Sequence, residues 1–363
     1  MQALTLIPGV KDSLALRKIP EPGPDQGSVL VEALAVGLCG TDAEITAGNY
    51  GQPPPGHKQL VLGHENLGRV LEAPPGSGVA PGDLVVGIVR RPDPHPCPAC
   101  AAGEWDMCLN GKYTEHGIKQ LDGFARGRWR GEPKDMVKLG PGLAVVGVLL
   151  ELTTIVAKAW EQIMRIGARA FFDPHVAVVT GAGPVGLLAA LLGVRRGLEV
   201  HVFDIVSDGP KPGLVRGLGA TYHSGTLPES GISAEILVEC TGITDVVLDV
   251  LGRRAPDAIT CLTGVSGTGK ETEVEVGALN RQAVLGNGVT FGSVNANRRH
   301  LDAAACALAA ADPAWRGRLF SRRVQLENFA DAFKRHPDDV KVVLEIGSGR
   351  AAGKDRAAGR QDR

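Results

Sequence analysis

The hydrophobic and polar positions of this chain change their pattern near residue 150. Before that point, short apolar runs at residues 29–35, 67–72 and 83–89 are separated by turns rich in Gly and Pro. Runs of this length with such turns between them predict strands of a mainly β domain, a partly open barrel. We expect this first domain to occupy residues 1–152.

After residue 150, apolar stretches alternate with helical ones as far as residue 296. The candidate strands are residues 176–180, 199–204, 236–239, 258–263 and 289–292. Continuous apolar strands separated by helices indicate a parallel sheet that is covered on both faces. The predicted fold class is therefore α/β, with a second, doubly wound domain at residues 153–296.

The last part of the chain divides into two segments of different character. Residues 299–311 have a helical pattern, and we expect residues 297–349 to return and pack on the first domain. Residues 350–363 are almost entirely Ala, Gly and charged or amide residues. Such a segment buries too little apolar surface to order itself, so a disordered tail is predicted.

Composition excludes several classes of function. The 363 residues carry a net charge of -1, which gives no basic footprint for nucleic acid or an anionic membrane. No apolar stretch is long and uncharged enough to span a bilayer, and the N-terminus does not have the pattern of a signal peptide. Seven cysteines in such a chain favour metal ligands and free thiols over disulfides, and a cytoplasmic location is expected.

A glycine-rich turn follows the candidate strand 176–180 directly. It reads Gly181-Ala182-Gly183-Pro184-Val185-Gly186 and opens a helical stretch. Between a strand and a helix, this spacing is typical of a Rossmann-type dinucleotide site. Gly181 permits the tight turn, Gly183 lets the backbone approach a pyrophosphate, and Gly186 lets helix and strand pack closely.

An acidic residue, Asp204, ends the next strand. A carboxylate at this place accepts hydrogen bonds from the adenosine ribose and repels a 2′-phosphate. Ile205 and Val206 follow, where an NADP enzyme often has Arg. The sequence therefore predicts NAD as cofactor rather than NADP, although Lys211 and Arg216 could still reach a phosphate.

Two short runs in the first domain supply candidate ligands for a catalytic metal. Cys39 opens Cys39-Gly40-Thr41-Asp42, and Gly63-His64-Glu65 comes 25 residues later. Nitrogen, sulfur and oxygen donors of this kind usually hold zinc, and a catalytic zinc keeps one position open. Thr41 could relay a proton or simply cap the turn that follows it.

A second cysteine cluster reads Cys97-x2-Cys100-x7-Cys108. A closed structural zinc site needs four ligands, and His95 or Asp93 could supply the fourth. We expect such a zinc to clamp a lobe at about residues 92–113 that is too poor in apolar residues to fold alone.

Together these features resemble the zinc-containing medium-chain dehydrogenases, and more narrowly their glucose dehydrogenase branch. The narrower likeness lies in residues 39–44, residues 60–65 and residues 115–118, which lead to Asp122-Gly123-Phe124. It implies a GroES-like first domain and a homodimer or homotetramer. It also implies NAD-dependent, zinc-dependent oxidation of a sugar or polyol hydroxyl, with hydride transfer to the nicotinamide.

The resemblance also implies roles for individual residues. Cys39, His64, Glu65 and Glu151 would hold the catalytic zinc, with Glu65 bound directly or through a water or hydroxyl. The family's structural lobe carries four cysteines, of which only the last three are matched here, so either a mixed-ligand zinc or a metal-free lobe is expected.

Further residues are expected to line the substrate and cofactor sites. Glu115, Glu151, His116 and Asn295 would contact the sugar, and Thr241 and Asn295 would contact the cofactor. A charge-assisted bond from a hydroxyl to a carboxylate such as Glu115 suits a polyol.

Two departures from the branch's pattern leave the substrate open. Val89 stands where the branch usually has Asn, and Ile155 where it often has Asp. A pocket that has lost two hydroxyl-binding groups favours a different or less hydroxylated substrate. The alternatives are a dehydrogenase of another polyol, cyclitol, modified sugar or secondary alcohol, a metal-free quinone-reductase-like enzyme, and a non-catalytic NAD-binding regulator on the same fold.

Overall fold

A computed structural model describes residues 1–144, 146–252, 254–267 and 271–347 of the chain. The tail that the sequence predicts to be disordered, residues 350–363, lies outside the described residues. Among the described residues, no helix combines the length and hydrophobicity that crossing a bilayer requires.

The first part of the chain is built mainly from short strands, as its Gly- and Pro-punctuated pattern predicts. The strands are β1 (Gln2–Leu6), β2 (Ala15–Lys18), β3 (Val29–Leu38), β4 (Leu60–Val61), β5 (Glu65–Glu72), β6 (Leu84–Gly87), β7 (Arg90–Arg91), β8 (Thr114–His116), β9 (Gln120–Leu121), β10 (Arg128–Gly131) and β11 (Met136–Lys138). Short helices α1 (Gly40–Thr46) and α2 (Pro98–Ala101) interrupt them, with 3-10 turns at Pro24–Gln26, Trp105–Met107 and Pro133–Asp135.

A long helix, α3 (Leu149–Gly167), leads from the strands into the second half of the chain. The expected domain boundary between residues 152 and 153 therefore lies inside this helix. Most of its side chains are buried, including Trp160, whose indole N–H donates to the Ala189 carbonyl at 3.1 Å. The helix packs against both halves of the molecule.

The second half is a parallel six-stranded sheet with helices between its strands. Its elements are β12 (Val176–Thr180), α4 (Pro184–Val194), β13 (Glu199–Phe203), α5 (Pro210–Arg216), β14 (Thr221–His223), α6 (Leu227–Ser230), β15 (Ile236–Glu239), α7 (Thr244–Gly252), β16 (Ile259–Leu262), α8 (Val276–Leu285) and β17 (Val289–Gly292). The strand order is β14-β13-β12-β15-β16-β17. This is the order of the doubly wound Rossmann-type fold, in which ligands bind at the carboxyl ends of the strands where the order reverses. The predicted fold class is confirmed.

The chain then returns to the first sheet. The returning elements are α9 (Arg298–Ala310), α10 (Pro313–Arg318), β18 (Phe320–Gln325), a 3-10 turn at Leu326–Asn328, α11 (Phe329–Ala332) and β19 (Lys341–Glu345). Strand β19 pairs antiparallel with β3, with Val342 opposite Leu38. The first sheet thus has the order β11-β6-β5-β3-β19-β18, and β10 also pairs with β3. The pairing places Lys341 beside the end of β3.

Candidate active site

The two runs that the sequence singles out as metal ligands meet at one point. Cys39 follows β3 directly and caps the N-terminus of α1. Strand β5 begins at Glu65, which lies opposite Gly37 of β3. Since neighbouring antiparallel strands bring such positions together, Cys39 Sγ lies 3.1 Å from His64 Nε2. One donor atom each from Cys39, His64 and Glu65 lies within 4.8 Å of the others.

Asp42 contacts both Cys39 and His64 and helps to orient them. Its Oδ2 accepts the Cys39 backbone N–H at 2.9 Å, and its Oδ1 lies 3.5 Å from His64 Nδ1. Burial alone would raise the pKa of Asp42, but His64 and the Cys39 N–H outweigh that and lower it. With Nδ1 facing the carboxylate, the ring presents Nε2 to the cluster, which is how a ligating histidine is commonly held.

Lys341, a residue that sequence reasoning missed, pairs with Glu65. Both side chains are fully buried, and Nζ also donates to the Leu38 carbonyl at 2.9 Å. Burial would lower the pKa of Lys341, but Glu65 and Cys39 raise it. The sequence signal that could have identified Lys341 is a lysine that opens the apolar run Val342-Val343-Leu344. A charge next to a buried strand needs a partner.

Glu151, on the first turns of α3, lies near the cluster but outside the group of three donors. Burial raises the pKa of Glu151 to about 7, with help from Glu65 and Glu115, while His64 and Lys341 act in the opposite direction. Its side chain lines a cavity together with Val89 and Asn295. Ile155, the second apolar departure, is half-buried one turn further along α3.

The donors fit a zinc ion. They combine a thiol, an imidazole and a carboxylate, the ligand types that zinc prefers. Glu65 Oε2 is paired with Lys341, but Oε1 is buried and has no hydrogen-bond partner among the described residues. A buried carboxylate oxygen without a partner is costly, and a cation held by Cys39 and His64 would supply one.

Of the residues expected to bind the sugar, Asn295 directly contacts Glu115. Glu115 Oε1 accepts from Arg90 Nε at 3.0 Å and from Asn295 Nδ2 at 2.9 Å. Arg90 is buried and stacks over the Tyr113 ring, 3.6 Å from its centroid. Glu115 is therefore already charge-compensated. Asn295 comes from the opposite half of the molecule, 180 residues away.

His116 is a buried packing residue in this structure. Its Nδ1 lies 2.7 Å from the Asp122 carbonyl, and its ring packs on Phe124. Burial, followed by the charge of Arg91, holds the pKa of His116 well below its usual value. The ring is therefore neutral at physiological pH.

The glycine-rich turn has the geometry that its sequence predicts. Gly181 has a φ of +86°, and Gly183 precedes the first residue of α4, Pro184. A Cβ on Gly186 would lie 1.8 Å from the Gly181 carbonyl oxygen, so only glycine fits there. Val185 is half-buried in the first turn of α4.

Thr241 lies beside the turn, and a buried carboxylate holds it there. Its methyl group is 2.8 Å from where a Cβ on Gly181 would be. Glu239, fully buried, accepts the backbone N–H groups of Thr241 and Gly242. Glu239 carries no sequence signature beyond its place at the end of β15.

Asp204 is paired, which the sequence did not indicate. Its Oδ2 accepts the Ala182 N–H at 2.7 Å and lies 3.1 Å from Lys211 Nζ, while Oδ1 accepts the Val206 N–H at 3.1 Å. The acid thus sits against the glycine turn with an ammonium group beside it.

The cysteine lobe brings its three thiols together but adds no fourth ligand from the described residues. Cys97, Cys100 and Cys108 have their sulfurs within 4.8 Å of one another. Asp93, outside this group, accepts instead from the backbone N–H of His95 at 2.9 Å and from Asn110 Nδ2 at 2.6 Å. The structure therefore brings neither Asp93 nor His95 into the thiol group.

The three thiols are unequal. Hydrogen bonds from the backbone N–H groups of Cys100 and Leu109 lower the pKa of Cys97 to about 6. Burial, with the neighbouring Cys97 and Cys108, raises the pKa of Cys100 to about 12. The lobe thus favours one thiolate in the absence of a metal.

Comparison with known proteins defines the class. Residues 25–141 match the alcohol dehydrogenase GroES-like domain, and residues 144–346 match the glucose dehydrogenase C-terminus. The chain belongs to the glucose dehydrogenase branch of the zinc-containing medium-chain dehydrogenases. It is thus an NAD(P)-dependent sugar dehydrogenase that acts on CH–OH groups.

Particular relatives are similar over their whole length. Glucose 1-dehydrogenase of Methanocella arvoryzae is 38 % identical, with 96 % of this chain and 100 % of the relative covered. Glucose 1-dehydrogenase 2 of Vulcanisaeta moutnovskia is 39 % identical, with 95 % and 99 % covered. The solved glucose dehydrogenase of Haloferax mediterranei, in complex with NADP, Zn and gluconolactone, superposes with a TM-score of 0.88 at 29 % identity, covering 96 % and 100 %.

Proposed function

We propose that the chain oxidises the C1 hydroxyl of a glucose-like sugar with NAD as preferred hydride acceptor. The observation that carries this is the convergence of two sets of groups on one cavity. Glu151 and Asn295 both line that cavity; His64 and Glu65 are close enough to Glu151 to shift its pKa, and Asn295 is hydrogen-bonded to Glu115. The relatives named above are glucose dehydrogenases, which supports a sugar of this size.

In this proposal Cys39, His64 and Glu65, with Glu151 nearby, hold zinc. When bound, zinc would supply a Lewis acid that stabilises negative charge on a substrate oxygen. Asp42 keeps His64 in the orientation that presents Nε2. Lys341 compensates the charge of Glu65 and so fixes that carboxylate at the start of β5.

Thr41 is proposed to carry the proton away from the reacting hydroxyl. It is the second residue of α1, half-buried, and its backbone N–H donates to Cys39 Sγ at 3.3 Å. Its Oγ would accept the proton and pass it toward solvent or a ribose hydroxyl. On the sugar, Glu115 and Asn295 would bind hydroxyl groups, since one offers a carboxylate and the other an amide.

The decisive experiment is a substrate panel with NAD: D-glucose, D-galactose, D-xylose, 2-deoxy-D-glucose and myo-inositol. We expect turnover of an aldose and none after treatment with a zinc chelator, restored by added zinc. Val89 lines the cavity and offers no hydroxyl partner, so a 2-deoxy sugar should lose less than about tenfold in kcat/KM. Turnover of myo-inositol alone would instead favour a cyclitol dehydrogenase.

A Cys39→Ser variant separates a zinc-dependent dehydrogenase from a metal-free reductase, whereas wild-type protein that binds NAD but turns over none of the panel would favour a non-catalytic NAD-binding regulator. We expect the variant to lose turnover while still binding NAD, because the glycine turn lies far along the chain in the other half of the molecule. An unchanged rate in this variant, or in chelator-treated protein, would favour a metal-free reductase.

NAD is proposed over NADP because Asp204 occupies the position that repels a 2′-phosphate. Lys211 beside it reduces that repulsion, so we expect a modest preference of about tenfold in kcat/KM for NAD, or about 1.4 kcal/mol. A higher kcat/KM with NADP would refute the assignment.

A second zinc is proposed in the cysteine lobe, held by Cys97, Cys100 and Cys108 with a fourth ligand from outside the three-thiol group. Metal analysis should give two zinc ions per chain. One per chain, lost in Cys39→Ser but retained in Cys97→Ser, would mean that the lobe is metal-free.

We also propose that the chain forms a homodimer or homotetramer through α8 and the outer strand β17. Strand β17 ends the described sheet. On α8, Val276, Val284 and Leu285 are more than 60 % exposed. Large apolar side chains gathered this way commonly mark a contact between subunits.

A further inference from the structure

A buried polar cluster joins the cysteine lobe to two helices of the other half of the molecule. Asp106, two residues before Cys108, belongs to the lobe; Lys158 lies on α3; Asn297 precedes α9. All three are less than 6 % exposed. Such a buried set is costly to desolvate, and apolar residues of the same volume are often as stable. Its presence therefore calls for a reason other than stability.

Lys158 is the centre of the cluster. Its Nζ lies 2.8 Å from Asp106 Oδ2 and donates to the Val294 carbonyl at 3.0 Å. Asp106 Oδ1 in turn accepts from Asn297 Nδ2 at 2.8 Å. The Lys158 ammonium group thus links the lobe to the Val294 carbonyl, before Asn295 in the chain. Asp106 links the lobe to the Asn297 side chain, after Asn295.

Asn295 lies between these two anchors at a turn of the backbone. Its φ is +58°, in the left-handed region, which asparagine adopts more readily than most residues other than glycine. Its Nδ2 donates to Glu115 Oε1. The hydrogen bond from Lys158 Nζ to the Val294 carbonyl holds the residue before Asn295, and Asn295 Oδ1 accepts the Ala296 N–H at 2.8 Å. The direction of the Asn295 amide therefore follows the backbone of residues 294–296, which Lys158 anchors at Val294.

The lobe is also linked to Glu115 through Arg90 of β7. Arg90 Nε donates to Glu115 Oε1 at 3.0 Å, and Arg90 Nη1 lies 3.5 Å from the Asp106 carbonyl oxygen. Lys158 Nζ lies 3.5 Å from the same carbonyl. Both partners of Glu115 are therefore connected to one residue of the lobe.

We propose that Lys158 and Asp106 are positioning residues for sugar binding, through which the cysteine lobe holds Asn295 and Glu115 in place. The inference rests on the proposed function, in which Glu115 and Asn295 bind the sugar. Neither Lys158 nor Asp106 touches the substrate in this account. Their effect should fall on sugar affinity and leave the hydride transfer and the cofactor site unaltered.

The test compares Lys158→Met with Arg299→Met. Arg299 links the same three elements, through Glu104 of the lobe and Glu161 of α3, but makes no described contact with residues 294–295. The sugar used is the one of the panel that wild type oxidises with the highest kcat/KM. We expect Lys158→Met to raise its KM by about tenfold, with kcat within about threefold and the KM for NAD unchanged. Arg299→Met should leave all three within about twofold.

A paired variant guards against a simple loss of stability. Lys158→Met leaves Asp106 buried without its cation, so its melting temperature should fall. Lys158→Met with Asp106→Asn removes both charges and keeps an acceptor for Asn297. We expect it to recover melting temperature yet retain the raised KM, because the bond to the Val294 carbonyl is still missing.

Three results would overturn the inference. One is a KM in Lys158→Met equal to that of Arg299→Met. Another is recovery of KM together with melting temperature in the paired variant. The third is a Glu115→Gln variant with an unchanged KM for the sugar. The proposed sugar role of Glu115 would then be wrong, and so would the inference that Lys158 acts on the sugar through it. If Glu115→Gln raises KM and Lys158→Met does not, the proposed function stands and only the inference falls.

Discussion

At the scale of single residues, buried charges define this site more than exposed ones do. Lys341 and Glu65 are both fully buried, and the charge of each is compensated by the other. Removing one member of such a pair leaves an uncompensated charge in a poorly solvated place. A metal at Cys39 and His64 would offer Glu65 a second source of positive charge.

Lys341→Met should therefore destabilise the zinc-free protein more than the zinc-loaded one. We expect a loss of about 3 kcal/mol in the free energy of unfolding without zinc, and a clearly smaller loss with zinc. Denaturant unfolding of both forms measures this.

The control is Lys334→Met, which breaks the exposed pair with Asp331 and should cost less than about 1 kcal/mol in either form. Equal losses for Lys341→Met with and without zinc would show that Glu65 does not face the metal.

How far the sequence predicts the site depends on the distance between partners along the chain. Cys39 directly follows β3 and His64 directly precedes β5, its neighbour in the sheet, so their spacing was informative. Lys341 is 276 residues from Glu65 along the chain and reaches it only because β19 pairs with β3. Asp204 was predicted to bind the adenosine ribose and Lys211 only to be within reach of a phosphate; their ion pair was not predicted, since it depends on helix α5 turning the lysine back toward the strand end.

At the scale of elements, the turn between β12 and α4 is the proposed cofactor site. Two of its glycines are required for different reasons. Gly186 has no room for a Cβ against the Gly181 carbonyl, whereas no atom of the described residues, apart from Gly183's own chain neighbours, lies within 4 Å of a Cβ on Gly183. Glycine is needed at position 186 for packing, and at position 183 to leave space for a ligand.

The variants Gly186→Ala and Gly183→Ala should therefore fail differently. Gly186→Ala should lower the melting temperature by several degrees, since overpacking typically costs about 1–3 kcal/mol. Gly183→Ala should melt like wild type but raise the KM for NAD by about tenfold or more. Thermal unfolding and initial rates separate the two, and a Gly183→Ala enzyme with wild-type KM would contradict the placement of the pyrophosphate.

Element boundaries were predictable where the apolar pattern was continuous. The strands Val176–Thr180, Ile236–Glu239 and Val289–Gly292 have the bounds that the sequence indicates. Strand β3 extends three residues beyond its predicted end, to Leu38, because pairing with both β5 and β19 supports residues that local pattern alone does not. Helix α3 begins before the expected domain boundary, since its first turns pack on the strand domain.

At the scale of the whole molecule, one exposed apolar surface is left without a described partner. It includes Val276, Val284 and Leu285 of α8, beside the outer strand β17. The chain is nearly neutral, with a net charge of -1, so charge repulsion does not oppose self-association.

We expect wild-type protein to be a dimer or tetramer in solution and Leu285→Glu to shift it toward the monomer. Burying a carboxylate in an apolar contact is costly, so the effect should be large. Light scattering coupled to size separation measures it. Val10→Glu, which changes an exposed apolar residue of the first domain, should leave the mass unchanged; a monomeric wild type would refute the proposed interface.

Helix α3 has a consequence for how the molecule unfolds. Its Leu152 and Val156 belong to one continuous core with Val86 of the strand domain and Val179 of the parallel sheet. Melting either half would expose that helix to water and deprive the other half of its packing, so the two halves should unfold in a single calorimetric transition. A fragment that starts at residue 153 would lack the first turn of this shared helix, and we expect it to be far less stable than its size suggests.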